Sequence, residues 1–138
     1  MATLSLSSQA AGITKGRLWT SRIMGGIVIL FMLFDSIFKF FPNEEIVRGT
    51  MDLGYQSHHL PILGTLGLVS ILLYAYRRTE LIGAILLTGY FGGAVATHVR
   101  LDNPLFSHVL FSVYLGILAW GALWLRNNKL RSLFSGKE

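Results

Sequence analysis

Four apolar stretches, Ile23–Phe41, Leu60–Tyr76, Leu81–Val99 and Leu105–Leu125, fill most of the 138 residues. Each is about long enough to cross roughly 30 Å of hydrocarbon as a helix. Runs such as Ile27–Phe34 and Leu60–Tyr76 are apolar on every side, so these helices must be surrounded by protein or lipid throughout. Neither alternating short strands nor heptads compete with this pattern. The expected fold is all-α, a four-helix transmembrane bundle: one membrane domain over residues 23–126, a flexible basic segment at 1–22 and a basic tail at 127–138.

Composition closes the other routes. Hydrophobic residues make up 52% and charged ones 14%, too little polar surface to solvate a water-soluble domain of this size. The net charge of +5 resides mostly in the flanks of the apolar segments and forms no basic helical face, so nucleic acid is not an expected partner and membrane lipids are. The absence of cysteine excludes disulfides, thiolate nucleophiles and Cys-ligated metals. The first segment follows Lys15, Arg17 and Arg22 as a signal peptide would, but it is too long and lacks a small-residue cleavage site, so it reads as a retained anchor. Residues Met1–Thr14, rich in Ser, Ala and Thr, read as disordered.

Charge asymmetry predicts the topology. Lys15, Arg17, Arg22, Arg77, Arg78, Arg126, Lys129, Arg131 and Lys137 fall on one side of a four-span arrangement, and Lys39, Arg48 and Arg100 on the other. Basic residues are retained in cytoplasmic flanks, so both termini are expected to be cytoplasmic, in a bacterial cytoplasmic membrane. The link Arg77-Arg78-Thr79-Glu80 is so short that the second and third spans must form an antiparallel hairpin. Asn103 and Pro104 suit the cap and first position of the fourth helix, and Asn43 can cap a short interfacial helix carrying Val47 and Met51. Gly89 and Gly93, four residues apart, are expected to let two helices approach closely. Trp19, Trp120 and Trp124 suit anchoring at the cytoplasmic interface.

The candidate site comes from polar residues that this topology gathers in the outer half. Asp35 and Lys39 share a helix face at i and i+4, which neutralises a carboxylate that would be costly alone in lipid, with Lys39 reaching toward the headgroups. His58, His59, His98 and His108 all fall at the same level. Neutral imidazoles can bind a metal or haem, or relay protons near neutral pH, and the spacing selects none of these; a hydrogen-bonded interfacial histidine is the plain alternative. No HxxxH or HxxE pattern marks a metal site. His98, Arg100 and Asp102 follow the third span closely, and His108 and Ser112 share a face of the fourth, so a small anionic or carbonyl-bearing ligand could meet donors and a proton-transfer group there. An Arg100–Asp102 loop tie is the structural alternative. The candidate ligand-binding residues are Asp35, Lys39, His98, Arg100 and His108, with no catalytic residue or metal ligand assigned.

The segments Asp35-Ser36-Ile37-Phe38-Lys39, Gly89–Arg100 and Ala119–Arg126 together resemble the DoxX-like membrane family, most specifically over Gly89–Leu110. Relatives named DoxX are associated with quinone-linked sulfur oxidation and with membrane complexes that handle redox stress. The resemblance therefore implies a redox-associated accessory subunit, or a binder of a small lipid-soluble partner such as quinone, acting within a membrane redox complex or as a homo-oligomer. Two other readings stay open: an autonomous membrane enzyme using His98 or Asp35 for proton transfer, with quinone or haem as conceivable cofactors, and a structural subunit in which Gly89 and Gly93 supply helix contacts.

Overall fold

The computed structural model describes residues 14–136. The expectation of disorder over Met1–Thr14 therefore lies, but for Thr14, outside the described residues, as does Lys137. Among the described residues six α-helices follow in order: α1 (Lys15–Phe40), α2 (Glu44–Asp52), α3 (Leu60–Ala75), α4 (Glu80–Arg100), α5 (Leu110–Arg126) and α6 (Asn128–Ser135). A single 3-10 turn, Ser57–His59, leads into α3, and a single π turn, Leu105–Val109, leads into α5. Four helical segments among the described residues are long and apolar enough to cross a membrane: Lys15–Phe40, Ser57–Ala75, Glu80–Arg100 and Leu105–Arg126. Among the described residues there is no strand.

The first helix begins earlier than its apolar run. Thr14 accepts a hydrogen bond on Oγ1 from the Arg17 amide, which satisfies one orphan donor of the first turn, and the helix proceeds from Lys15. Residues 15–22, expected as part of a flexible segment, are thus two turns of a helix about 39 Å long, longer than the hydrocarbon it crosses. The expected tail likewise contains a helix. Asn127 caps α6 by accepting from the Leu130 amide at 3.0 Å, and Leu130 is buried against the bundle.

The spans form a ring in which α1 and α4 each pack against both α3 and α5. Val28, Met32, Ile71, Tyr74, Ala84, Leu87, Phe91, Leu115, Ala119 and Leu123 meet in the middle. Lipid tails are as apolar as these side chains, so burial alone does not hold the ring together; close packing and interhelical hydrogen bonds must. Gly83 supplies the closest approach: a Cβ there would collide with the Tyr74 backbone, so α4 lies directly on α3. Gly64 and Gly67 do the same for α1, since a Cβ at Gly64 would come within 3.1 Å of the Ser36 carbonyl and one at Gly67 within 2.5 Å of Ser36 Oγ.

Gly89 and Gly93 do not play the part expected of them. A Cβ at either would meet nothing within 4 Å. The buried face of α4 runs through Gly83, Ala84, Leu87 and Phe91, and Gly89, two residues from each of the last two, points about 200° away from them.

The end of the bundle that carries the chain's described termini is closed by polar contacts. The Ser21 hydroxyl donates to the Ala122 carbonyl at 2.9 Å, Arg17 to the Leu125 carbonyl at 2.9 Å, and the Tyr74 hydroxyl to the Ala119 carbonyl at 2.8 Å. Glu80, buried at the start of α4, accepts from Arg126 Nε at 3.1 Å and from Asn127 Nδ2 at 3.0 Å, while the Arg126 guanidinium lies 5.4 Å from the Tyr74 ring centre. Trp19 and Trp124 are exposed near this end, each beside an arginine. Trp120 differs: its indole N–H donates to Thr88 Oγ1 at 2.7 Å, tying α5 to α4.

Two consequences can be measured. Glu80→Ala strands the Arg126 guanidinium and should lower stability by about 3 kcal/mol, as removal of one partner from a buried pair does. Thermal unfolding in detergent checks this, and the double variant Glu80→Ala/Arg126→Leu should recover much of the loss. Gly83→Val should destabilise by about 3 kcal/mol or prevent folding, because the Tyr74 backbone must move to admit the side chain, whereas Gly89→Val should leave the unfolding temperature within about 2 °C because nothing lies in its way.

Candidate functional site

At the opposite end the helices enclose an open cleft of about 970 Å³. Its walls are largely apolar and aromatic, with Phe31, Met32, Phe34 and Phe38 from α1, Leu63 and Leu66 from α3, Tyr90 and Phe91 from α4, and Phe111 and Leu115 from α5. Helix α2 covers part of the mouth through Ile46, Gly49 and Thr50, joined by its C-cap residue Leu53. It folds there because Asn43 Oδ1 caps it, accepting from the Ile46 amide at 2.9 Å, and because Glu44 and Glu45 favour its positive N-terminus. Its exposed Met51 and half-buried Val47 lie on the side away from the cleft.

Four of the five residues singled out from sequence line this cleft: Asp35, Lys39, His98 and His108. Asp35 and Lys39 form an ion pair across one helical turn. The lysine is the more covered partner, with 15% of its side chain exposed against 33% for Asp35, and its Nζ also reaches the Asp35 carbonyl, so Lys39 folds back over the aspartate instead of reaching outward. The Tyr90 hydroxyl approaches the same carboxylate from α4 at 3.5 Å.

His98 and His108 face each other with ring centres 5.7 Å apart. The π turn helps place His108. The Val109 amide reaches back to the Pro104 carbonyl and the Leu110 amide to the Leu105 carbonyl, each five residues away, so the span opens with a wider turn than an α-helix. That backbone arrangement leaves Asn103 free of capping duty. Its amide nitrogen lies 2.8 Å from His98 Nδ1, and an amide nitrogen can only donate, so Nδ1 accepts and the proton of the neutral ring sits on Nε2. His98 thereby presents a donor whose orientation is set by its neighbour. The Ser107 hydroxyl lies 2.8 Å from His108 Nδ1, and Ser112, one turn deeper on the same helix, is buried and also lines the cleft.

Arg100 does not line the cleft. Its guanidinium donates to the Leu53 carbonyl at 2.9 Å, in place of a tie to Asp102, and fits against Gly54, where a Cβ would come within 2.5 Å of it. Gly54 has φ +90°, a conformation glycine adopts without strain, and it lets the chain turn sharply from α2 toward Tyr55. Arg100 is therefore a strap that holds the cover in place. His58 and His59 also stay outside: their rings are 4.2 Å apart, and His59 Nδ1 accepts from the Gln56 amide to cap the turn before α3. Asp102 takes φ +54° in the turn after α4. Among the described residues no three His, Asp or Glu side chains gather as a metal site requires.

Several cleft residues carried no sequence signal. Tyr90 sits in an unbroken apolar run. Thr97, buried on α4, donates to the Gly93 carbonyl at 2.8 Å and so must accept from the Tyr55 hydroxyl at 3.1 Å, which pins the segment after α2 to the bundle. Asn103 reads as a helix cap until the π turn is seen. The strap can be tested directly: Arg100→Ala should raise amide hydrogen exchange over residues 44–56 by about tenfold, corresponding to the loss of roughly 1.4 kcal/mol, with protection in α4 and α5 unchanged.

No curated protein and no solved structure matches the chain. The family comparison does find a match: the profile of the DoxX-like family aligns with residues 23–122, taking in most of the apolar length of all four spans and the whole cleft lining. This chain is a membrane protein of the DoxX-like family.

Proposed function

We propose that the cleft binds a small lipid-soluble molecule bearing hydrogen-bond acceptors, with quinones as the class whose chemistry it suits, and that the protein serves a membrane redox complex as an accessory subunit. The observation that carries this reading is a donor of fixed orientation, His98 Nε2–H, on an aromatic-walled cleft within the span. His98 offers Nε2–H because Asn103 occupies Nδ1, while Asp35, which takes hydrogen bonds from both Tyr90 and Lys39, adds a polar, charge-balanced patch to the wall. Quinone carbonyls are acceptors on a flat ring, and the ring can lie against Phe31, Phe34, Phe91 or Phe111. His98 Nε2–H thus suits one carbonyl of such a ligand. The chain itself holds no thiol, so any electrons would pass between the bound molecule and a partner.

The distribution of basic residues supports an orientation with the terminal end of the bundle in the cytoplasm and the cleft in the outer half. Lys15, Arg17, Arg22, Arg77, Arg78, Arg126, Lys129 and Arg131 lie toward the terminal end, against Lys39, Arg48 and Arg100 toward the cleft.

Equilibrium binding of a benzoquinone to the protein in lipid nanodiscs tests the reading. Wild type should bind it saturably, and His98→Ala should weaken binding by about tenfold, the value of one hydrogen bond to a ligand carbonyl at roughly 1.4 kcal/mol. Asn103→Leu should weaken it less, because it releases the tautomer without removing the ring. Binding that is unsaturable, or unaffected by His98→Ala in a folded protein, would defeat the quinone assignment, and a haem absorption band in the purified protein would redirect it.

A further inference from the structure

The interior of the terminal end is closed to a ligand, but its rim is not. Helix α6 sets off in a new direction from the extended backbone of Asn127. Two contacts fix where it lies: Asn127 Nδ2 donates to Glu80 Oε1 at 3.0 Å, and Leu130 packs into the core. At about 100° per residue, Leu130, Leu133 and Phe134 fall on one face of this helix, Lys129 and Arg131 flank that face on its two sides, and Ser132 and Ser135 fall opposite. Of the three apolar side chains only Leu130 is covered by the bundle. Leu133 and Phe134 are 73% and 72% exposed, so no described part of the chain shelters them.

The surface that these two extend is that of a spanning helix. Trp124, exposed on the last turn of α5, has its ring centre 5.7 Å from that of Phe134, and the Arg131 guanidinium lies 6.0 Å from the same indole. The apolar face of α6 is therefore continuous with the part of α5 that meets lipid. Its charge is equally one-sided. Neither Lys129 nor Arg131 has an ion-pair partner among the described residues, and Glu80, the one described acid at this end, is taken up by Arg126 and Asn127.

We propose that α6 lies in the plane of the membrane–water interface and docks the protein to anionic phospholipid, with Leu133 and Phe134 entering the acyl boundary beside Trp124 while Lys129 and Arg131 hold headgroup phosphates. Leucine and phenylalanine at the edge of a span gain by entering hydrocarbon, and cations on both sides of such a face reach phosphates at the depth where the face ends. Two cations without a protein counter-ion select lipids of net negative charge over zwitterionic ones. The Asn127 cap and the Leu130 anchor set the bearing of the helix before any lipid arrives, so little ordering is lost on docking. This docking is independent of what occupies the cleft at the other end.

Two readouts on the full-length protein test it. The chain has no cysteine, so a nitroxide can be attached at one introduced position at a time, Leu133→Cys on the apolar face or Ser135→Cys opposite it. In vesicles of phosphatidylcholine and phosphatidylglycerol, the label at position 133 should be relaxed by oxygen, and the label at position 135 by a water-soluble nickel chelate. Lipid titration read by native mass spectrometry then compares the two lipids. Wild type should bind phosphatidylglycerol more tightly, and Lys129→Gln/Arg131→Gln should weaken that binding about tenfold while leaving phosphatidylcholine uptake unchanged. Arg77→Gln/Arg78→Gln removes two exposed cations from the same end outside α6, and as the control it should change phosphatidylglycerol binding by less than about twofold. Equal accessibility at positions 133 and 135 would put α6 outside the interface and overturn the docking. So would a loss as large in the control, or no loss in Lys129→Gln/Arg131→Gln. Spin–spin broadening at position 133 in place of oxygen access would mark a contact between two copies, and the docking would fall.

Discussion

Hydrocarbon offers no hydrogen bonds, and that single constraint arranges almost everything in this bundle. Each backbone and side-chain polar group inside the spans is driven to find its partner within the protein, and among the buried side chains of the described residues Ser36 Oγ is the exception. Helix formation satisfies the backbone. The hydroxyls of Thr20, Thr65, Ser70, Thr88 and Thr97 donate to carbonyls four residues back along their own helices, which hides their polarity without requiring a second helix. The groups that do reach across helices become the joints: Ser21 and Tyr74 to carbonyls of α5, Trp120 to Thr88, and Glu80 to Arg126 and Asn127.

The joints are distributed unevenly, and the inequality separates stability from function. At the terminal end Glu80, Arg126, Asn127, Tyr74 and Ser21 direct their polar atoms at one another or at backbone, leaving little with which a ligand could bond. At the far end the polar atoms are partnered only in part. Asp35 and Lys39 hold each other yet remain at the cleft wall, and His98 has one nitrogen engaged by Asn103 and one free. A tight base and a loosely packed mouth suit a protein that must remain folded in lipid while admitting a guest.

What could be read from the chain follows from how local each feature is. The four spans were legible because length and apolarity are properties of contiguous sequence, and the Asp35–Lys39 pair because an i, i+4 contact belongs to one helix. The meeting of His98 with His108 followed from a short connection between two spans. Rotation of a helix about its axis was not legible. α4 is apolar nearly all the way round, so no polar stripe indicates which glycines face inward, and Gly83 took the packing role expected of Gly89 and Gly93. Partners far apart in sequence were equally hidden, among them Glu80 with Arg126 and Tyr90 with Asp35. Arg100 has a charge and position that suit a ligand, but its partner, the carbonyl of Leu53 at the end of α2, is 47 residues away in sequence and so was hidden as well.

The π turn at Leu105–Val109 carries an implication for how this site can vary. A helix that closes its first rings over five residues holds one amino acid more than an α-helix needs for the same advance, so the bearing of His108 is determined by a count of residues rather than by any one side chain. A single deletion here would regularise the turn and swing the imidazole a quarter-revolution or more from its counterpart on α4, with every residue of the cleft chemically intact. Chains of this architecture can thus gain or lose the paired imidazoles through one codon of length, without any change in the composition of the membrane spans.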